Sequence, residues 1–269
     1  MKSLDFMIVG AQKSGTTALA EFLAEHPAIE MAANKEAHLF DDREFDDKWT
    51  ASEINERYAP LFSENQEFTE HQESTENQEF TESEDVLRGE ATPVYLYLPE
   101  IAQRLYHYNP DLKLIVLLRD PVERGYSQYC MESARGNETL PFWLALLLEP
   151  FRLFLDRNSM GDESSVRRHS YRDRGYYARQ LHNLMQVFDS SQVLILRTED
   201  LRLKHEQTMG QIFAFLGVAP IAVIPREIFS QSTSLDEVPV SSFFLKRCFR
   251  RDLLELENLV DFSTENWRA

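Results

Sequence analysis

The sequence predicts an α/β protein: a single domain with a central parallel sheet flanked by helices and a P-loop-like phosphate-binding loop after the first strand. Three observations predict it. The chain opens on an apolar strand pattern, Leu4 to Val9, that runs into a glycine-bearing loop and then into helical spacing. Leu112 to Leu118 is a second apolar run, of the kind a strand buried on both faces shows. After each of these runs strand patterns alternate with helical ones, which is how parallel sheets are connected.

The elements follow in order. Ala18, Leu19, Phe22 and Leu23 share one helix face behind the first loop, and Pro27 closes that helix because it cannot extend the hydrogen-bond ladder. A short second strand is expected over Lys35 to Phe40, and a helix over Ala51 to Leu61. A further helix spans Pro99 to Tyr106. After the Leu112–Leu118 strand, Asp120 offers a cap and Pro121 a first turn, so a helix runs to about Ser133. Leu140 to Leu155 is interrupted by Glu149, Pro150 and Arg152 and is too short to span a bilayer; it reads as a buried amphipathic helix or a lid over an acceptor site. A helix at Tyr176 to Phe188, a strand at Gln192 to Leu196 and helices at Glu206 to Phe215 and Ser242 to Leu259 complete the pattern.

With 269 residues, 43% hydrophobic and 27% charged, the chain has the composition of one globular domain. Two cysteines, Cys130 and Cys248, do not suggest a disulfide scaffold, so a reducing cytoplasm is the expected setting. No secretory signal is expected, since the first strand starts almost at once. The net charge of −17 excludes general nucleic-acid binding. Much of it is local: residues 63–85 carry nine acids and no Lys or Arg, and subtracting those nine from −17 leaves −8. That stretch repeats Glu-Asn-Gln-Glu-Phe-Thr-Glu at Glu64 to Glu70 and again at Glu76 to Glu82, and reads as a solvated insertion with no core of its own.

Gly10 to Thr17 has the glycine spacing of a nucleotide phosphate loop, with Thr16 where an ATPase or kinase carries its lysine. The lysine stands inside the loop instead, at Lys13, which disfavours a nucleotide kinase. A donor that joins one phosphate to a sulfuryl group needs less than a nucleoside triphosphate does. Backbone N–H groups at a helix start hold the phosphate, and one cation meets the charge on the leaving oxygen.

Phe6 to Thr17 resembles the 5′-phosphosulfate loop of sulfotransferases that use 3′-phosphoadenosine 5′-phosphosulfate (PAPS). The closest likeness is to the heparan-sulfate-type branch and its bacterial relatives, including synthase-embedded domains. That family's second signature, Arg-Asp-Pro after a strand and Ser eight residues beyond the Arg, is matched by Arg119-Asp120-Pro121 and Ser127. The resemblance implies that Gln12, Lys13, Ser14, Gly15, Thr16 and Thr17 bind the donor's 5′ side and that Arg119 and Ser127 bind its 3′-phosphate. Further matches are Asn34 to Phe40, Gly89 to Tyr95, Arg174 to Leu181, Leu194 to Leu201 and Arg251 to Trp267. It implies sulfuryl transfer from PAPS to an acceptor hydroxyl with release of 3′,5′-ADP, without a metal. The alternative is a nucleotide-binding module that does not turn over.

Glu36 and His38 stand two apart, so an extended segment points both to one face. In the resembling enzymes the Glu takes the acceptor proton and the His assists, which makes Lys13, Glu36 and His38 the catalytic candidates. Arg124 reads as a structural helix residue. Two departures stand out. Ala91 replaces a lysine some members use on sulfated sugars, and Gln231 to Glu237 lacks the family's basic loop, so that part of the 3′ grip either comes from Arg226 or Lys246 or is absent. The acceptor is expected to be a sugar, a small natural product or a carrier-bound acyl chain. An acidic carrier protein could dock on Lys246, Arg247, Arg250 and Arg251, although a solvated helix face is the simpler reading of that cluster. Neither a nucleic acid nor a membrane is expected as partner.

Overall fold

The computed structural model describes residues 2–34, 36–62, 86–157, 161, 163–225 and 239–268; the acidic repeat, Lys35 and Arg226 to Glu237 lie outside them. At its centre is a five-stranded, all-parallel sheet in the order β2-β3-β1-β4-β5. The strands are β1 Phe6–Gly10, β2 Ile29–Met31, β3 Leu87–Ala91, β4 Lys113–Leu118 and β5 Val193–Arg197. The middle strand, β1, is buried at every position and lies with Phe6 opposite both Gly89 of β3 and Lys113 of β4. Strand alternation sends Phe6 and Ile8 into one core and Met7 and Val9 into the other. The sheet therefore needs helices on both faces, as the sequence predicts.

Eleven α-helices are found among the described residues. The first six are α1 Thr16–Leu23, α2 Ala51–Tyr58, α3 Ile101–Tyr108, α4 Pro121–Ala134, α5 Phe142–Leu155 and α6 Ser165–Arg168. The rest are α7 Tyr177–Met185, α8 Thr198–Leu203, α9 His205–Leu216, α10 Pro239–Leu256 and α11 Glu265–Arg268. Leu19 and Phe22 of α1 pack with Ile212 and Phe213 of α9 on the Phe6–Ile8 side. Helices α3, α4, α7 and α10 cover the other side through Leu105, Val122, Leu181 and Phe249. Cys130 and Cys248 are not joined in a disulfide. Among the described residues no helix is long and apolar enough to cross a membrane.

One predicted element is absent. Glu36 to Phe40 form no strand; the sheet edge beside β3 is taken by β2, whose Ile29 to Met31 pair with Leu87 to Gly89. The cause is local. The Ala37 N–H donates to the Thr92 hydroxyl at 3.1 Å, and His38 sits at φ 52°, a left-handed conformation that no strand accommodates. Elsewhere the expected helix at Ala51 to Leu61 is α2 followed by a 3₁₀ turn, opened by a reciprocal Thr50–Glu53 capping box.

The site end of β1 depends on a glycine. A Cβ on Gly10 would lie 2.6 Å from Leu96 Cβ, so the strand can end there only without a side chain. Gly10→Ala should lower stability by about 1–3 kcal/mol, the usual cost of overpacking, as read from the urea midpoint. An unchanged midpoint would show that Leu96 yields freely.

Candidate active site

The parallel sheet delivers β1 and β4 to one edge, and the candidate residues gather there. From Gly10 the chain turns through Ala11 to Gly15, closed by a Ser14 N–H to Ala11 C=O bond of 3.1 Å. Lys13 and Gly15 are left-handed, at φ 70° and 89°. Gly15 is the N-cap of α1, and neither a capping side chain nor a first-turn acid meets that helix end. Its first N–H groups have no intrahelical partners and carry the positive end of the helix dipole, a cradle suited to phosphate. The Ser14 hydroxyl is fully buried with no hydrogen-bond partner among the described residues, Thr16 is 5% exposed, and Thr17 is half-buried. From behind, the Thr198 hydroxyl lies 2.6 Å from the Ser14 carbonyl and 3.0 Å from that of Leu118, fixing the loop to β4.

Arg119 leaves the end of β4 beside this loop. Its guanidinium donates to Glu123 at 2.8 and 3.0 Å and reaches the Lys13 carbonyl at 3.5 Å, while the Tyr177 hydroxyl holds the Arg119 carbonyl at 2.8 Å. Asp120 caps α4 through the N–H groups of Val122 and Glu123, and burial pushes its carboxyl up to about 6. Ser127 lies about two turns into α4 and is 7% exposed; no hydrogen bond joins it to Arg119. Arg124 is fully buried and donates to the Gln128 side chain and the Tyr171 carbonyl, a structural role as its sequence position suggests.

Glu36 and His38 meet directly, though from an irregular loop rather than from one face of a strand. His38 Nε2 lies 3.1 Å from Glu36 Oε2, and Nδ1 lies 3.0 Å from Asp41 Oδ2. Hydrogen bonds to Asp41 and then to Glu36 raise the imidazole to about 9, so it is a cation at neutral pH. Burial pushes Asp41 up, but the hydrogen bond and charge of His38, with the Arg167 guanidinium at 2.5 Å, outweigh it and hold that carboxyl low. Beneath the loop, Thr92 donates to Glu90 at 2.7 Å while accepting from Ala37 N–H. Burial pushes Glu90 up to about 7.

Arg174 joins the two halves. It donates to Gln12 Oε1 at 2.6 Å and to the carbonyls of Val166 and Arg167 at 3.0 Å each, and Arg167 in turn grips Asp41. Sequence reasoning missed Asp41 and Arg167, and noted Arg174, Thr92 and Thr198 only within matched segments. Asp41 follows the matched Asn34–Phe40 segment immediately, which is the one signal that pointed to it.

Fold and site together define an α/β protein with a P-loop-like cradle beside a carboxylate–imidazole pair. The sulfotransferase family profile matches residues 5–221, and the chain belongs to that family. It is 28% identical to human carbohydrate sulfotransferase 15 over 84% of this chain and 46% of that one. To mouse heparan sulfate glucosamine 3-O-sulfotransferase 6 it is 30% identical over 79% and 52%. The chain thus spans about half the length of the curated relatives it matches. Among solved structures it resembles a sulfotransferase from Alicyclobacillus acidocaldarius, with 28% identity, a TM-score of 0.75 and both chains covered in full. Mouse sulfotransferase SULT7A1, solved with PAP, shares the fold at 15% identity and a TM-score of 0.53, over 97% of this chain and 87% of that one.

The His38 cation makes stability depend on pH. Its folded value of about 9 lies above the ordinary imidazole value of 6.5, so its contribution is full below about 6.5 and is lost as pH rises through 9. The difference in melting temperature between the native chain and His38→Gln should therefore shrink from pH 7 to pH 10, modestly, because the ring is partly solvated. A His38 resonance titrating near 6.5 by NMR would overturn the ion-pair account.

Proposed function

We propose that this chain transfers the sulfuryl group of PAPS to an acceptor hydroxyl and releases 3′,5′-ADP. One observation carries the reading: Arg174 touches the phosphate-type loop through Gln12 and, through Arg167, the Asp41–His38–Glu36 chain. A cradle for a phosphate and a proton acceptor are thereby held at a fixed distance, as an in-line displacement requires. The uncapped start of α1 and the orphaned Ser14 hydroxyl fit a bound phosphate oxygen.

The residues then divide the work. The loop N–H groups from Gln12 to Gly15, with Thr16 and Thr17, hold the 5′-phosphate. Arg119 holds the 3′-phosphate by forked charge-assisted bonds, and Ser127 adds a hydroxyl. The acceptor oxygen forms the new bond to sulfur while the bond from sulfur to the phosphate oxygen breaks. Glu36 takes the acceptor proton, and Lys13 meets the negative charge on the departing oxygen. His38, held between two carboxylates, orients Glu36 rather than contacting the sulfuryl group. The two named relatives act on carbohydrate and heparan sulfate glucosamine by their names, which puts a sugar hydroxyl first among the acceptor classes.

Calorimetry tests the donor site. The protein should bind 3′,5′-ADP well above 5′-AMP, and Arg119→Ala should bring the two ligands together by about 1.5–3 kcal/mol. Undiminished discrimination in that variant would remove Arg119 from the 3′ site.

Turnover tests the chemistry. Glu36→Gln should keep donor binding and lose about 10²–10⁴-fold in kcat. Lys13→Ala should weaken donor binding as well, since its charge serves bound and transition states alike. A Glu36→Gln enzyme that sulfonates its acceptor at the native rate would make Glu36 structural.

A further inference from the structure

Helix α5 is built inside out. Trp143, Leu147, Phe151, Phe154 and Leu155 are 59–67% exposed, and their spacing puts them on one face. The opposite face buries Phe142, Ala145, Leu146 and the carboxylate of Glu149. Glu149 has a structural reason to point inward: it accepts the backbone N–H groups of Arg172 and Asp173 at 2.7–3.0 Å. The outward aromatics have no comparable anchor among the described residues; Phe154 has only the exposed Arg157 guanidinium, 4.5 Å from its ring centre. Monomeric soluble proteins rarely expose a contiguous apolar patch beyond a few hundred Å², and larger ones mark an interaction surface.

The neighbouring helix says what kind. Helix α10 packs against α5 and exposes Val240, Phe243 and Phe244 in its first turns. Arg247, Arg250 and Arg251 follow on the same exposed side, and Arg157 lies exposed just past the end of α5. No exposed residue of α5 is acidic. A molecule of net charge −17 thus presents, in this one region, a large apolar centre with an arginine rim. We propose that the outward face of α5, extended by the start of α10, docks the protein on an anionic lipid surface.

Charge decides between this occupant and a second copy of the chain. A twofold pairing of the same face would bring like-charged arginine rims towards each other, whereas anionic headgroups complement them. At fourteen residues α5 is about 21 Å long, too short to span a bilayer but well suited to lie in its interface with Trp and Phe at headgroup depth. The proposal departs from the sequence expectation of no membrane partner: the length argument behind it excludes spanning, and lying on a surface is a different demand. The face is close to the candidate site, since α6, which carries Arg167, packs on α5. The proposal does not depend on the identity of the sulfuryl donor.

Vesicle co-sedimentation of the full chain tests it. Binding to vesicles of phosphatidylcholine with phosphatidylglycerol should exceed binding to phosphatidylcholine alone and should weaken as salt rises. Arg247→Gln and Arg250→Gln should each lower affinity about fivefold, and a Phe151→Ser/Phe154→Ser double variant should lose it at an unchanged or higher melting temperature. Absence of sedimentation at low salt, or native binding by the double variant, overturns the proposal. So does a dimer in light scattering that the double variant converts to monomer without any vesicle binding, which would assign the face to a second copy.

Discussion

The site is organised by a guanidinium kept out of water. Arg174 is 3% exposed, and its donors are met by Ser170 Oγ, Gln12 Oε1 and the carbonyls of Val166 and Arg167, with the Tyr97 ring 4.7 Å from its carbon centre. A buried cation is tolerated only when its donors are satisfied in this way. Those acceptors come from the β1 loop and from the segment at α6, more than 150 residues apart in sequence. Gln180 fixes the Arg174 backbone from the next helix at 2.9 Å. The constraint thus runs from the phosphate-type loop through α6 to Asp41, and the Glu36–His38 pair inherits its position from it.

Net charge and local field oppose one another in this molecule. A chain of −17 repels anions at long range, yet the edge of its sheet gathers the α1 N-terminus, Lys13, Arg119, Arg167 and Arg174. Nearby carboxylates are each committed: Asp41 to His38 and Arg167, Glu123 to Arg119, Glu90 to Thr92. Such pairing keeps these carboxylates from opposing an anion at the uncapped start of α1, where partial burial weakens screening. Placing the His38 cation between Glu36 and Asp41 keeps two carboxylates within reach of one another without mutual repulsion.

Much of this was legible in the sequence because it rests on local patterns. The strand–loop–helix at Leu4 to Leu23 and the Arg119-Asp120-Pro121 corner are set by residues adjacent in the chain, and β4 is apolar from Leu114 to Leu118. The segment at Glu36 to Phe40 was misread because its shape is set from outside. Thr92, more than fifty residues away, holds the Ala37 N–H, and His38 adopts a left-handed φ that no periodicity reveals. β2 was missed for the opposite reason, being only three residues long. Asp41, Arg167 and Thr198 act through contacts over long sequence distance, and single residues of common type carry no signature of that.

Helix α5 shows the same limit from another direction. A helix apolar on every side reads as buried, and the sequence of Leu140 to Leu155 reads as a buried amphipathic helix or a lid, with Glu149 only an interruption of the apolar run. In the fold Glu149 is fully buried, accepting the N–H groups that open the 3₁₀ turn at Asp173 to Gly175, the turn that carries Arg174. The inward carboxylate is thus part of the scaffold that positions the candidate site, and it fixes which way the helix is turned. Once it is so fixed, Trp143, Phe151 and Phe154 have nowhere to point but outward. Polar side chains there would leave Glu149 and the described core undisturbed, so among the described residues it is the proposed docking that gives the aromatics at those positions a reason.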